Sequence, residues 1–590
     1  MLPTEVQRIL LLIGLAATAY LMILAWNDDY VRQQQPVEIS AEPEVDAPLT
    51  GGAGDDAPDL PRDAPEVAGA PAGTPAGSPA GAPDSDVPDP SMLTADPVDE
   101  VSAAAAAPAA QGRLVRVTTD TLDVWIDRLG GDIVRVQLPQ HRLEADRDVP
   151  YLLLNRGDGH VYVAQSGLIG PDGVDSGGER PTYRAAASEY TLRGDEPLVV
   201  TLTTERDGLA VEKRFTFKPG AYLIDVAYRV DNRTDRPISA GLFAQIKRDD
   251  KEAIGEKAFT LGPQPYLGAA LTTDESRYEK LSFDDLEEDG PYRAAVTGGW
   301  IAFLQHYFLS AWVADPDQTN NYYGRKRSDG TYLFGYTGPV QSVAPGQTGE
   351  WTSRFFAGPK DQNRLEGIAD YLNLTVDYGF LWWLAVPLFK ILDWIHGVVG
   401  NWGVAIILLT VMVKAILYPL SAASYRSMAN MRRVAPQMKR LQERYADDRQ
   451  KLSQEMMALY KKEKVNPLGG CLPMLLPMPI FLALYWVLFE SVELRHAPFM
   501  LWIDDLSAMD PYFVLPLLMG ASMYVMQLMS PAMGDPMQQR MMRLMPIMFT
   551  VLFLFFPAGL VLYWLVNNVL SMAQQWWVMR QTDGQHAARS

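Results

Sequence analysis

Cysteine is almost missing from this 590-residue chain, where Cys471 stands alone. One thiol excludes an internal disulfide and any cysteine-built zinc or iron–sulfur site. Histidine is nearly as scarce, at 6 residues, and no HExxH, serine–lysine pair or paired-carboxylate spacing points to a hydrolase. Basic charge is the minority sign: 51 Lys and Arg face 71 Asp and Glu, for a net charge of -20. That balance excludes the basic footprint of a general nucleic-acid binder. Paired broken helices and inverted repeats, the marks of an ion-coupled transporter, are also missing. No metal, cofactor or catalytic residue is assigned, and the chain does not read as an enzyme. What is abundant is methionine, at 25, and tryptophan, at 14, most of both beyond residue 380.

Leu10 to Trp26 is an apolar run preceded by Arg8 and followed by Asn27-Asp28-Asp29, with no small-x-small cleavage pattern nearby. Residues 1–27 therefore read as a retained signal anchor rather than a cleaved leader. Residues 28–111 are Ala, Pro, Gly and acid, with 17 acidic against 2 basic residues. Such a segment lacks the apolar surface that offsets ordering entropy and is expected to be a disordered linker. It reads as a solvated spacer, with an acidic interaction arm as the alternative.

Residues 112–357 switch to period-2 alternation. Phe215 and Phe217 form one series, and Tyr222, Ile224, Val226, Tyr228 and Val230 another that stops at Asp231-Asn232. Leu114 to Val117, Leu198 to Leu202 and Trp300 to Phe303 are further strands, separated by Gly, Pro and Asp clusters. The expectation is a large all-β sandwich outside the membrane. The acidic stretches Asp249-Asp250 and Asp284 to Asp289 read as solvated loops.

The last third is membrane material. Residues 358–400 are a connection and an apolar helix that Lys390, Asp393 and His396 interrupt, which favours an interfacial amphipathic helix over a span. Spans are expected over 401–420, 471–489, 511–530, 542–556 and 558–578, making six with the anchor. An external loop (490–510), a cytoplasmic loop (531–541) and a tail (579–590) complete the map. Residues 421–466 hold 11 basic and 5 acidic residues, while 490–510 hold five acids and one arginine. The basic side is cytoplasmic by the positive-inside rule, which puts the β domain outside and both termini in the cytoplasm. Helical stripes at Met428, Met431, Met438 and Leu441, then at Leu452, Met456 and Leu459, make 421–466 an antiparallel helical hairpin. Its surplus of basic residues suits either a self-contained coiled-coil loop or a platform for ribosome, targeting factor or anionic lipid.

Lys414 is the outlier. It lies about 10 Å from the cytoplasmic end of its span at 1.5 Å per residue, where a cation carries a cost of roughly 2.5–3.5 kcal/mol. Thr410 precedes it by one turn and Tyr418 follows by one. A water-filled cavity and snorkelling to the headgroups both account for it. Gln527 lies in another span, and Asn567, Ser571 and Gln574 share a face of the last. Methionines in these spans suit an adaptable apolar surface as well as an ordinary core.

The run SQEMMALYKKEKVNPLGGCLPMLLPMPIFLALYWVLFE within Ser453–Gly520, with GNWGVAIILLTVMVKAILYPL and FFPAGLVLYWLVNN, resembles the YidC/Oxa1/Alb3 membrane insertases. The likeness covers the N-terminal span and nearly everything from 112 to 580, and the large external domain points to the Gram-negative branch. The resemblance implies a polytopic α-helical inner-membrane protein. It has six transmembrane helices, a five-helix insertase core around a hydrophilic groove open to cytoplasm and lipid, a periplasmic β supersandwich of galactose-mutarotase type, and a cytoplasmic hairpin. It implies insertion, folding and assembly of nascent inner-membrane proteins, alone or with the Sec translocon (SecYEG, SecDF). Chains would arrive from ribosomes and the signal-recognition-particle pathway, and membrane lipids are the remaining partner.

The family's groove cation is usually arginine, and that motif position falls on Lys414. Lysine keeps the charge but loses the fork of donors. Thr410 and Tyr563 match groove positions, and Gln527, Asn567 and Ser571 complete the expected groove set. Arg426, Arg432, Arg433, Lys439 and Arg440 belong to the substrate-capture hairpin. Two other readings compete: a membrane-embedded assembly scaffold without insertion activity, and a sugar-active enzyme carried by the β domain.

Overall fold

The computed structural model describes residues 86–88, 112–145, 147–157, 159–176, 180–252, 265–445, 448–463, 477–529 and 536–587. The anchor expected over 1–27 lies outside the described residues, and so does the linker expected over 28–111 apart from residues 86–88.

Residues 114–359 form two sheets among the described residues, one of eleven strands and one of nine. Alternation sets their register. In the antiparallel pair Leu209–Phe217 and Leu223–Asn232, Ile224 lies opposite Phe217, Val226 opposite Phe215 and Tyr228 opposite Lys213. Both strands therefore turn the same face inward, and every second side chain is buried. The last strand runs from Thr348 to Pro359, two residues beyond the expected limit.

The same alternation carries Lys213 inside. Its side chain is fully buried, with Nζ donating to the carbonyls of Gly130 and Ser166, 3.1 Å each. It lies 5.3 and 5.1 Å from the Phe215 and Tyr228 ring centroids. Beside it Arg180 pairs with Asp132 and, at 2.8 Å, with Asp175. Burial pushes the Lys213 ammonium down to about 7.

Two acidic stretches differ from the solvated loops expected. Ser282 caps a helix, α1 (Phe283–Glu288), through a capping box in which Ser282 and Asp285 bond each other's backbone N–H. Asp249 is buried and accepts the Val161 N–H at 2.8 Å, tying two strand ends together.

After α2 (Gln362–Glu366) the chain enters α3 (Trp382–Val399), which is helical through Pro387. Gly400, at φ 67°, ends it, and the Asn401 side chain accepts the Val404 N–H to start α4 (Trp402–Ile416). Then come α5 (Tyr418–Arg444), α6 (Arg449–Lys462), α7 (Met478–Glu490), α8 (Val514–Met529), α9 (Pro536–Phe553) and α10 (Ala558–Ala587).

Several of these bounds correct the sequence reading. The span expected over 401–420 breaks at Leu417, and α4 and α5 meet at 67°. Pro419, in the first turn of α5, supplies no N–H to continue the α4 ladder. Tyr418 consequently starts α5 rather than following Lys414 on one helix. Pro436, expected to bend its helix, lies inside α5. The span expected from 542 begins at Pro536, a residue suited to a first helical turn, and the one expected to end at 578 continues to Ala587.

Among the described residues, Gly379–Val399 alone suffices by length and composition to cross a membrane, and α4 with α5 does so as a bent pair. Met478–Glu490, Val514–Met529 and Arg543–Phe553 are shorter apolar helices. Six full-length spans are therefore not delineated among the described residues, partly because 1–27 and 471–476 lie outside them. α3 buries Leu388, Phe389, Leu392 and Ile395 and exposes Trp382, Trp383 and Trp394. α10 packs against α4, α5, α7 and α8, and so forms the centre of the helical region.

Candidate functional site

Lys414, in the last turn of α4, and Ser571, midway along α10, meet where these helices pack. Lys414 Nζ lies 2.7 Å from Ser571 Oγ, and only 7% of the lysine is exposed. Ser571 Oγ donates to the Asn567 carbonyl at 2.7 Å. Tyr425, on α5, is buried against α10 in a cluster with Ala422 and Val578. A serine hydroxyl has one hydrogen and two lone pairs. Donating to Asn567 uses the hydrogen and turns a lone pair to the Lys414 ammonium. Among the described residues no carboxylate pairs with Lys414, so its charge is solvated here by a neutral hydroxyl.

A second polar set on α10 faces α8. Asn568 Nδ2 donates to Ser522 Oγ at 3.0 Å, and Ser522 Oγ donates to the Met519 carbonyl at 2.6 Å. Gln575 Nε2 reaches the Met529 carbonyl at 3.4 Å. Asn567, Asn568, Ser571 and Gln575 are all buried. The centre of the helical region is thus polar on two faces of one helix, in a setting where apolar packing would be expected.

The expected groove residues divide accordingly. Lys414, Ser571 and Asn567 come together. Thr410 is buried one turn away, its hydroxyl donating to its own helix at the Ile406 carbonyl, 2.7 Å. Tyr563 precedes Ser571 by eight residues, about 12 Å of helix, and packs against Phe481 instead (centroids 6.4 Å apart). Gln527 lies on α8, its buried Oε1 without a hydrogen-bond partner among the described residues. On the face grouped as Asn567, Ser571 and Gln574, Ser571 bonds the Asn567 carbonyl, and the neighbouring Gln575 adds a contact to α8. Gln575 is buried and bonded, while the Gln574 Oε1 has no partner among the described residues. Tyr425 is the residue that sequence reasoning missed. It was assigned to the hairpin, and only the bend at Leu417 folds it back against α10.

In the hairpin, Met431, Val434 and Met438 of α5 pack with Leu459 of α6. Arg426, Arg432, Arg433, Lys439 and Arg440 are all exposed on the remaining surface of α5. Residues 446–447 and 464–466 of that segment lie outside the described residues.

Fold and site together define an integral membrane protein with a helical membrane region, a polar buried interior and a large β-rich domain. Two family models match the chain in succession: the YidC periplasmic domain over residues 114–391 and the 60Kd inner membrane protein over 394–585. The chain is 46% identical over 604 residues to the membrane protein insertase YidC of Ectopseudomonas mendocina, covering 98% of each. It is 52% identical over 580 residues to that of Cellvibrio japonicus, again 98% of each. A solved active YidC insertase aligns with 79% of this chain and 92% of its own at 18% identity and a TM-score of 0.36. The chain belongs to the YidC/Oxa1 family of membrane protein insertases, in the branch with a large periplasmic domain. It is an inner-membrane insertase and chaperone of membrane proteins, not an enzyme.

Proposed function

We propose that this chain inserts nascent inner-membrane proteins through the polar interior between α4, α5 and α10, with Lys414 as the attraction point for acidic or polar ends of incoming segments. The observation that carries this reading is the Lys414–Ser571 contact: a buried cation held by a hydroxyl, with no carboxylate partner among the described residues. A carboxylate in an arriving chain is the complement such a cation lacks. The polar interior shortens the apolar path a hydrophilic segment must cross. Partition of the apolar segment into lipid, at about 25 cal/mol per Å² of apolar surface, drives release.

On this reading six spans cross the membrane, five of them forming the insertase core around a hydrophilic groove. Both termini are cytoplasmic. The basic face of the 421–466 hairpin captures substrate, acting alone or with the Sec translocon (SecYEG, SecDF) on chains from ribosomes and the signal-recognition-particle pathway. The 11 basic residues of 421–466 against the five acids of 490–510 support that orientation.

The deciding experiment crosslinks a stalled nascent membrane protein to a photoreactive residue placed at Thr410 or Asn567. The expected outcome is a crosslink to the nascent span that a Lys414→Glu variant loses while remaining membrane-resident. Crosslinks to mature partner proteins alone would favour the assembly scaffold instead.

A further inference from the structure

Residues 86–88 lie far from β-strand 114–118 in sequence yet are packed against the eleven-stranded sheet. On the strand Ile238–Arg248, Ala244 and Ile246 point to the inter-sheet core, and Phe243, Gln245 and Lys247 alternate to the other face. The Asp86 carboxylate lies there, 2.6 Å from Lys247 Nζ and 2.7 Å from Arg327 Nη1. Its backbone carbonyl accepts a hydrogen bond from Gln245 Nε2. Val87 is buried in a small cluster with Ile169 and Phe243, separate from the main core.

The floor under this segment is built. Gln245 is fully buried. Its Oε1 accepts the Tyr323 hydroxyl at 2.6 Å, and its Nε2 also donates to Gln165 Oε1 at 2.9 Å. Gln165 in turn donates to Asp132 at 2.9 Å. That chain orients the Gln245 amide so that an N–H faces the Asp86 backbone. Gly167, opposite Phe243 in the register, leaves the space that a Cβ would take from the Phe243 ring, 2.5 Å away. Lys247 and Arg327 also share Asp329, at 3.5 and 2.6 Å. Lys247 and Arg327 thus both reach Asp329 and Asp86.

We propose that this face is a docking site for an extended Asp–aliphatic–Pro segment, filled in cis by Asp86-Val87-Pro88. The site reads three features: a carboxylate between Lys247 and Arg327, a backbone carbonyl at Gln245, and an aliphatic side chain on Ile169 and Phe243. Charge complementarity favours the linker as occupant, since residues 28–111 hold 17 acids against 2 bases.

Two measurements on the full-length protein in detergent test this. In a Cys471→Ser background, Val87→Cys is treated with a water-soluble maleimide, with and without Lys247→Glu and Arg327→Glu. Loss of charge-assisted bonds should speed labelling by about tenfold or more. Equal rates would overturn the proposal. Second, a fluorescent peptide of residues 84–90 is titrated onto an Asp86→Lys/Val87→Ser chain whose near-ultraviolet circular dichroism matches the parent. Binding at least about tenfold tighter than to the intact chain, abolished by Lys247→Glu/Arg327→Glu, is expected. Absence of binding, or binding that ignores the occupant or the cations, would overturn it.

Discussion

Lys360 Nζ lies 2.8 Å from Glu490 Oε2, with 5% and 7% of the two side chains exposed. Lys360 follows the last strand of the β domain, and Glu490 is the last residue of α7. Two more contacts flank the pair. His306 Nε2 donates to the Phe489 carbonyl at 2.9 Å, and burial lowers this imidazole to about 3, so it stays neutral. Arg495, just past α7, donates to the Arg142 and Leu143 carbonyls at 2.6 and 3.0 Å. The β domain is therefore fastened to one end of α7 by contacts that are specific in direction as well as apolar.

A buried ion pair gains little net stability, because desolvating both ions offsets their attraction, but removing one partner strands the other. Lys360→Met is expected to destabilise the full-length protein by about 3–5 kcal/mol, and Lys360→Met/Glu490→Leu by far less. Thermal unfolding in detergent, run as a double-mutant cycle, measures the coupling. A double variant as weak as the single one would show that packing volume, rather than charge, is what the pair provides.

At the insertase site, Ser571→Ala removes the only acceptor that holds Lys414 among the described residues. The hydrogen bond from a charged group is worth about 1.5–3 kcal/mol, so insertion of a single-span substrate with an acidic external end should fall by roughly tenfold. Lys414→Arg should retain activity, since its fork reaches the same hydroxyl and keeps the charge. Protease protection of a pulse-labelled substrate reads both. Unchanged insertion by Ser571→Ala would mean that the hydroxyl does not position the ammonium.

Periodicity made much of this legible. Phe215 to Phe217 and Ile224 to Val230 alternate so cleanly that strand, face and pairing follow together. The same pattern held Lys213, whose burial was invisible because a lysine reads as polar until its partners, Gly130 and Ser166, are known to lie beside it. Local chemistry was legible in principle yet passed over at Ser282 and Asp285, where an acidic run concealed a capping box. The bend at Leu417 was foreshadowed by Pro419, but its direction depends on what α5 packs against. Tyr425 could not be placed against α10 without it. Lys414 and Ser571 could each be picked out as polar groups in apolar helices, whereas their contact depends on how α4 and α10 rotate against each other.

Lys213 predicts a pH dependence for the β domain. Its ordinary value is 10.5, and burial lowers it to about 7 in the folded state. Between these values the unfolded chain holds a proton that the folded chain lacks, so stability rises with pH across that window. Below about 7 the ammonium is charged in both states, and the full burial penalty applies. Lys213→Met should flatten the rise and raise stability at pH 6 relative to the parent. Arg180 Nη2 still donates to the Gly130 and Ser166 carbonyls, at 3.1 and 3.0 Å, so neither is left bare. Denaturant unfolding followed by β-domain tryptophan fluorescence at pH 6 and pH 9 checks it. Parallel pH slopes for parent and variant would remove Lys213 as the source.

Close approach of α8 and α9 depends on Gly520. A Cβ there would lie 1.9 Å from Thr550 Oγ1, which itself donates to the Pro546 carbonyl at 2.7 Å. The hydroxyl is held by its own helix, so swinging away breaks this bond, although the Pro546 carbonyl keeps its helical N–H. Small residues at helix crossings in membranes allow this kind of contact, and adding a methyl group forces the pair apart. Gly520→Ala is expected to destabilise by about 1–3 kcal/mol, the usual range for overpacking. Gly520→Ala/Thr550→Ala removes the colliding oxygen and should recover most of that loss. Thermal inactivation in detergent ranks the three proteins. If Gly520→Ala matches the parent, α8 and α9 stand further apart than this geometry requires, and the polar contacts of α8 with α10 through Ser522 and Asn568 become the main hold on that helix.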